Sequence, residues 1–116
     1  GSGKYLMFIK KINRSWSVGN KKKIKISEKA KIELINNEQI TFIDKNGKNI
    51  HEICKKLWGF YLSPSINKRL KNYNHKVFLT KDKLGKIFIM SVKINKIKNF
   101  KSYCKLENLK YKILKY

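Results

Sequence analysis

The chain holds one proline, Pro64, and no other residue constrains its fold as tightly. A proline ring fixes φ and removes a backbone donor, so it suits the first turn of a helix but neither a helix interior nor a central strand. Pro64 follows the apolar run Leu57, Trp58, Phe60, Tyr61, Leu62 and precedes a polar segment spaced by Ile66, Leu70 and Tyr73. The first run reads as a buried strand over 57–62. Ser63 reads as a side-chain cap, and Ile66, Leu70 and Tyr73 share one face of a helix predicted over 64–73. The rest of that helix carries Lys68, Arg69 and Lys71.

Before this junction, alternation predicts strands over 4–12, 24–26, 32–35 and 40–43. A hairpin is expected through Asn36-Asn37-Glu38-Gln39 and a tight turn at Asp44-Lys45-Asn46-Gly47. Residues 13–20 read as a loop with Trp16 in its middle, and 49–55 as a strand or short helix. After the junction, strands are predicted over 76–80, 86–92 and 109–114. A helix over 96–107, capped by Asn95 and closed by Asn108, lies between the last two.

The order over 57–116 is therefore β-α-β-β-α-β. An internal echo supports it: Ile66-Asn67-Lys68 precedes Lys71-Asn72-Tyr73 as Ile94-Asn95-Lys96 precedes Lys98-Asn99-Phe100. A doubled split β-α-β unit is the ferredoxin-like arrangement. The predicted fold class is α+β, a ferredoxin-like part over 57–116 preceded by a small antiparallel β-meander over 4–56, all in one domain. Strand 86–92 is almost wholly apolar and is expected at the sheet's centre, buried on both sides. Gly1-Ser2-Gly3 reads as an expression remnant outside the fold.

Charge narrows the function. Twenty-nine Lys and Arg face seven Asp and Glu, a net charge of +22, and repulsion at that density opposes compaction unless a polyanion neutralises it. Biased coding explains the wealth of Lys, Asn and Ile and the use of only two arginines, Arg14 and Arg69, but not the shortage of acids. A nucleic-acid partner follows, with an anionic membrane surface or an acidic protein as the remaining choices. With 41% hydrophobic and 12% aromatic residues the chain is not of disordered composition. No run approaches a membrane span, and Cys54 and Cys104 are too few for a zinc pattern, reading instead as buried reduced thiols in a cytoplasmic protein. Scattered carboxylates disfavour a two-metal centre, and no phosphate loop or nucleophile elbow occurs, so no metal and no cofactor is expected. Oligomeric state is not legible.

Several clusters could meet the polyanion. Lys55-Lys56 precede the 57–62 strand, Lys68, Arg69 and Lys71 leave the helix, Lys76 follows it, and no acid intervenes between Glu52 and Asp82. The helix start at Ser65-Ile66 could receive a phosphate. Lys21-Lys22-Lys23 with Arg14 and Trp16 form a second basic-aromatic cluster, suited to phosphate contact and base stacking. Gly85-Lys86-Ile87-Phe88-Ile89 resembles the Gly-aromatic signature of the RNA recognition motif, which shares the β-α-β-β-α-β topology. That resemblance implies bases stacked on Tyr61 and Phe88, with Lys86 beside them, on two central strands; both aromatics also suit a core.

The expected function is a small nucleic-acid-binding protein acting mainly through phosphate contacts, RNA favoured over DNA on topology. One alternative is a metal-independent ribonuclease or ribosome-directed toxin using His75 or His51, with Tyr73 adjacent, as some ferredoxin-like RNA-processing enzymes such as CRISPR repeat endonucleases use His or Tyr. The other is a module that docks an acidic protein.

Overall fold

Eight strands, paired antiparallel throughout, and two helices make up residues 8–116, the part of the chain that the computed structural model describes. The chain is thus mixed α+β. It divides into two compact units: one holds the described residues up to Val18 with Lys22–Ser63, the other Gly19–Lys21 with Pro64–Tyr116.

In the first unit, β1 (Phe8–Val18) and β2 (Ile24–Glu33) form a ribbon from Phe8↔Glu33 to Val18↔Ile24, with a bulge between Lys11 and Arg14. The predicted loop over 13–20 is therefore strand as far as Val18, and Trp16 lies opposite Ile26, an aromatic–β-branched pair that favours strand pairing. The start of the predicted 4–12 strand, residues 4–7, lies outside the described residues. β3 (Gln39–Phe42), β4 (His51–Lys56) and β5 (Gly59–Ser63) form a separate meander in the order β3-β4-β5.

The hairpin expected between 32–35 and 40–43 does not form, because β2 pairs back with β1 and β3 pairs forward with β4. The linker's own bonds explain the change. Asn37 takes φ 68° and donates its N–H to the Lys55 carbonyl at 2.8 Å, while Lys55 N–H returns to the Glu38 carbonyl at 2.9 Å. The Asp44–Gly47 turn forms as its chemistry predicts, with Asn46 at φ 73° and Gly47 at φ 68°.

The second unit is built on a sheet of order β7-β6-β8, from β6 (His75–Lys81), β7 (Ile87–Lys93) and β8 (Lys110–Ile113). β7 and β8 both run antiparallel to β6, hence parallel to each other, and α2 (Ile97–Leu106) connects them. That is one split β-α-β unit. The second, which the ferredoxin-like order requires, lacks its first strand, since β5 is hydrogen-bonded to β4 and not to a strand of this sheet. The topological ground for preferring RNA goes with it.

β6, not β7, is central: His75 and Val77 on one of its faces and Phe78 and Thr80 on the other are buried. α2 presents Ile97, Phe100 and Cys104 to a core with Phe78, Met90, Val92 and Leu109, and the Phe78 and Phe100 rings lie 5.0 Å apart. The helix is entered through a 3₁₀ turn at Ile94–Lys96, so Lys96 and not Asn95 stands at its start, without a side-chain cap bond. Asn108 closes it in the left-handed region at φ 56°, with Leu109 N–H donating to the Cys104 carbonyl at 2.8 Å.

The other helix is shorter than predicted. α1 is the single turn Arg69–Asn72, because Lys68 has non-helical backbone angles of φ −125° and ψ −93°. Ser65, not Ser63, meets it: its hydroxyl accepts the Arg69 N–H at 3.1 Å, while Ser63 donates to the Glu52 carboxylate at 2.9 Å. Leu70 alone of the three predicted face residues is buried.

Candidate nucleic-acid interface

The β4–β5 hairpin gathers cations and aromatics at its tip. Lys56 pairs with Gly59, leaving Leu57-Trp58 as a two-residue loop, and Gly59 at φ 140° takes a conformation that other residues rarely adopt. The run expected to be buried is open to solvent: Leu57 is 86% exposed, Trp58 71%, Phe60 56% and Tyr61 44%. An edge strand over a three-stranded sheet has water on its outer side, and alternation alone does not reveal which strand takes that place.

Pairing register assigns the faces. Lys55 lies opposite Phe60, and its ammonium sits 5.5 Å over that ring while donating to the Lys56 carbonyl at 2.6 Å. Cys54 lies opposite Tyr61, and the Tyr61 ring lies near-parallel to Trp58, 6.5 Å between centroids and 23° between planes. The Lys56 ammonium donates to the Asn37 side chain. The neighbouring Cys54 side chain, then desolvation and the Glu52 charge, raise the Tyr61 phenol above its ordinary pKa. Chemically, the tip offers flat π-faces next to two held cations, the pairing that stacks bases and meets phosphates.

The other expected clusters are placed differently. Arg14 stands 5.0 Å over the Trp16 ring and is ion-paired with Glu28 across the ribbon, so an acid already engages its charge. Lys21, Lys22 and Lys23 are exposed in the turn between β1 and β2. Lys68, Arg69 and Lys71 are exposed, with Arg69 6.0 Å over the Tyr73 ring, and Lys76 is exposed on β6. Since α1 is one turn long, Ser65-Ile66 is no helix N-terminus for a phosphate. Tyr61 and Phe88 belong to different sheets, β3-β4-β5 and β7-β6-β8, so they do not form the shared platform of neighbouring central strands. Lys86 is exposed in the β6–β7 turn.

Register also discloses cations that sequence spacing hides. Lys81 lies directly opposite Lys110, and Lys112 opposite Leu79, beside a depression of about 300 Å³. Like charges in such a pair repel. Trp58 and Phe60 are hidden for another reason, since an apolar run predicts a core; the local sign of exposure is Lys55-Lys56 leading straight into the aromatic run.

Each of the two histidines bonds a backbone carbonyl two residues before it. His75 is buried, and its Nδ1–H donates to the Tyr73 carbonyl at 2.9 Å. His51 is half-buried and makes the same bond to the Asn49 carbonyl at 2.9 Å. Cys54 and Cys104 are free and buried. Among the described residues no group of His, Cys, Asp and Glu could hold a metal ion, and no helix is long and apolar enough to cross a membrane. No family model, curated protein or solved structure matches this chain, so the case for a function rests on the residues themselves.

Proposed function

We propose that the protein binds single-stranded nucleic acid, drawing most of its affinity from lysine–phosphate contacts and adding base stacking at the β4–β5 hairpin. The observation that carries this reading is the exposed, near-parallel Trp58–Tyr61 pair on a hairpin whose strand also carries Lys55, over the Phe60 ring, and Lys56. Charge supplies the rest: with seven carboxylates for 29 cations, at least 22 cations have no carboxylate of their own. A flexible polyanion can collect such charges wherever they lie, releasing counterions as it binds. Exposed aromatics then favour a strand with unpaired bases over a duplex, in which the π-faces are already stacked.

Binding of a labelled oligonucleotide, followed by fluorescence anisotropy, tests the reading. Affinity should fall linearly in log–log form with salt, with a slope of several phosphate contacts. Trp58→Ala with Tyr61→Ala should weaken binding about tenfold or more, since each stacked base contributes about 1–3 kcal/mol. Lys55→Glu with Lys56→Glu should cost more than the equal charge change Lys98→Glu with Lys101→Glu, placed on exposed positions of α2. Equal losses in the two charge variants, with none from the aromatic pair, would reduce the binding to net charge alone and remove the hairpin from it.

A further inference from the structure

Three lysines meet on the face of the β7-β6-β8 sheet that α2 leaves uncovered. Register fixes the set: Lys81 lies opposite Lys110 on β8 and Ile87 on β7, while Leu79, two residues before it, lies opposite Lys112 and Ile89. Residues paired across an antiparallel sheet share a face, as do positions two apart, so these six stand together. Phe78, Met90 and Val92 look the other way, into the core with α2. Toward the start of β6 the open face is closed over His75 and Val77, both buried. Toward its end lies a depression of about 300 Å³, lined by Leu79, Ile87 and the three lysines, with Thr80 and Tyr111 beside them. That volume is at the lower end of the range for small-molecule sites, about 300–1,000 Å³.

Charge is concentrated here. Directly opposed Cβ atoms lie about 4.5–5.5 Å apart and diagonal neighbours about 7–8 Å, so flexible lysine stems can bring all three ammonium groups to one point. Lys81, Lys110 and Lys112 are exposed, and among the described residues no Asp or Glu lines the depression. The acids nearest in the chain are engaged elsewhere: the Asp82 carboxylate accepts the Leu84 and Lys86 N–H groups at 2.9 Å each, and Glu107 accepts the Asn20 N–H. The opposed Lys81–Lys110 pair is therefore destabilising on its own. The apolar floor of Leu79 and Ile87 strengthens the field that three cations set up above it. A backbone phosphodiester brings one negative charge and leaves most of that field unanswered. A terminal phosphate monoester brings about −1.5 to −2, and a di- or triphosphate more.

We infer that this depression holds the terminal phosphate or polyphosphate of a nucleotide, with Lys81, Lys110 and Lys112 around the phosphate and the sugar or base over Leu79 and Ile87. The nucleotide is either free or the phosphorylated end of a strand, the chemistry being shared. The site belongs to the other compact unit from the β4–β5 hairpin and needs no stacking there.

The test compares three single-stranded oligonucleotides of one sequence, labelled at the 3′ end and carrying a 5′ hydroxyl, monophosphate or triphosphate. Anisotropy gives their affinities at one ionic strength, and calorimetry gives those of ADP and adenosine. The phosphorylated strands should bind about tenfold or more tightly than the hydroxyl strand, and ADP should bind where adenosine does not. Lys110→Gln with Lys112→Gln should abolish both preferences. Lys98→Gln with Lys101→Gln, the same charge change on exposed positions of α2, should keep them, as should Trp58→Ala with Tyr61→Ala. An end preference without ADP binding makes the strand end the ligand, and ADP binding without an end preference makes it the free nucleotide; either supports the site. Equal binding of the three strands with no ADP binding overturns it. So does a preference that the Lys110–Lys112 variant leaves intact, or that the α2 variant loses equally. Should the former fail to fold, Lys81→Gln provides the same comparison, and by removing the like-charge pair it should raise the thermal midpoint without ligand. Failure of the hairpin reading is told apart, because the aromatic variant would then keep both its overall strand affinity and its end preference.

Discussion

Thr80 holds the clearest conflict at the scale of single residues. Its side chain is 1% exposed near the end of β6, and among the described residues its hydroxyl has no hydrogen-bond partner. A buried hydroxyl left unpaired costs about 1–3 kcal/mol, whereas an apolar group of the same shape carries no such penalty. Thr80→Val should therefore raise stability by about 1 kcal/mol in urea unfolding; a lowered midpoint would show that the hydroxyl is satisfied in solution. Cys104 makes the complementary point through pH. Burial alone lifts its thiol above the ordinary value of 9.0. The folded state then holds its proton where the unfolded state has lost it, so the thiol's contribution is complete below 9.0 and disappears as pH rises through the folded value. Stability should decline above that point, and Cys104→Ala should show a shallower decline than the parent, which isolates the thiol's share. Equal slopes would mean the thiol contributes nothing to the pH dependence.

Elements show which parts of the fold the sequence could reveal. β6, β7, α2 and β8 lie within one or two residues of their expected bounds because strong punctuation separates them: Asn74 at φ 63°, Gly85 at φ 83° and Asn108 at φ 56°. Asn108→Val should accordingly cost about 1–2 kcal/mol, the penalty of a left-handed β-branched residue, while Asn108→Gly should be nearly neutral. Similar losses for both would show that the Asn side chain, not its backbone angle, closes α2. Pairing and burial were less legible. Leu57-Trp58 carries none of the residues that mark a two-residue hairpin loop, so the sequence does not disclose the pairing of β4 with β5, and its aromatic run predicts a core instead. β7 was misplaced for a related reason: an apolar run marks a strand but not whether anything covers it. Lys55, Lys56 and Tyr61 of the candidate interface could be chosen from charge and resemblance, while Trp58 and Phe60 needed the register. Helix 64–73 failed at Lys68, whose helical propensity is good and whose break comes from the turn that follows Pro64.

The whole molecule carries +22 charges that folding brings closer together. Added salt screens them, so the thermal midpoint should rise from low to physiological ionic strength, in the opposite sense to oligonucleotide affinity. A midpoint indifferent to salt would show that the cations lie too far apart to burden the fold. The buried residues are unevenly shared. In the first unit Cys54 is the one buried apolar residue among those described, and from Ile9 to Glu33 the strands of the β1–β2 ribbon bury none. A strand pair wet on both faces has no packing partner to object when a side chain changes. Under random substitution the ribbon should accept nearly any residue compatible with a strand, while Phe78, Val92, Phe100 and Cys104 reject most. Genomic drift can therefore rewrite the surface of this protein, and with it what the protein holds, long before it threatens the fold.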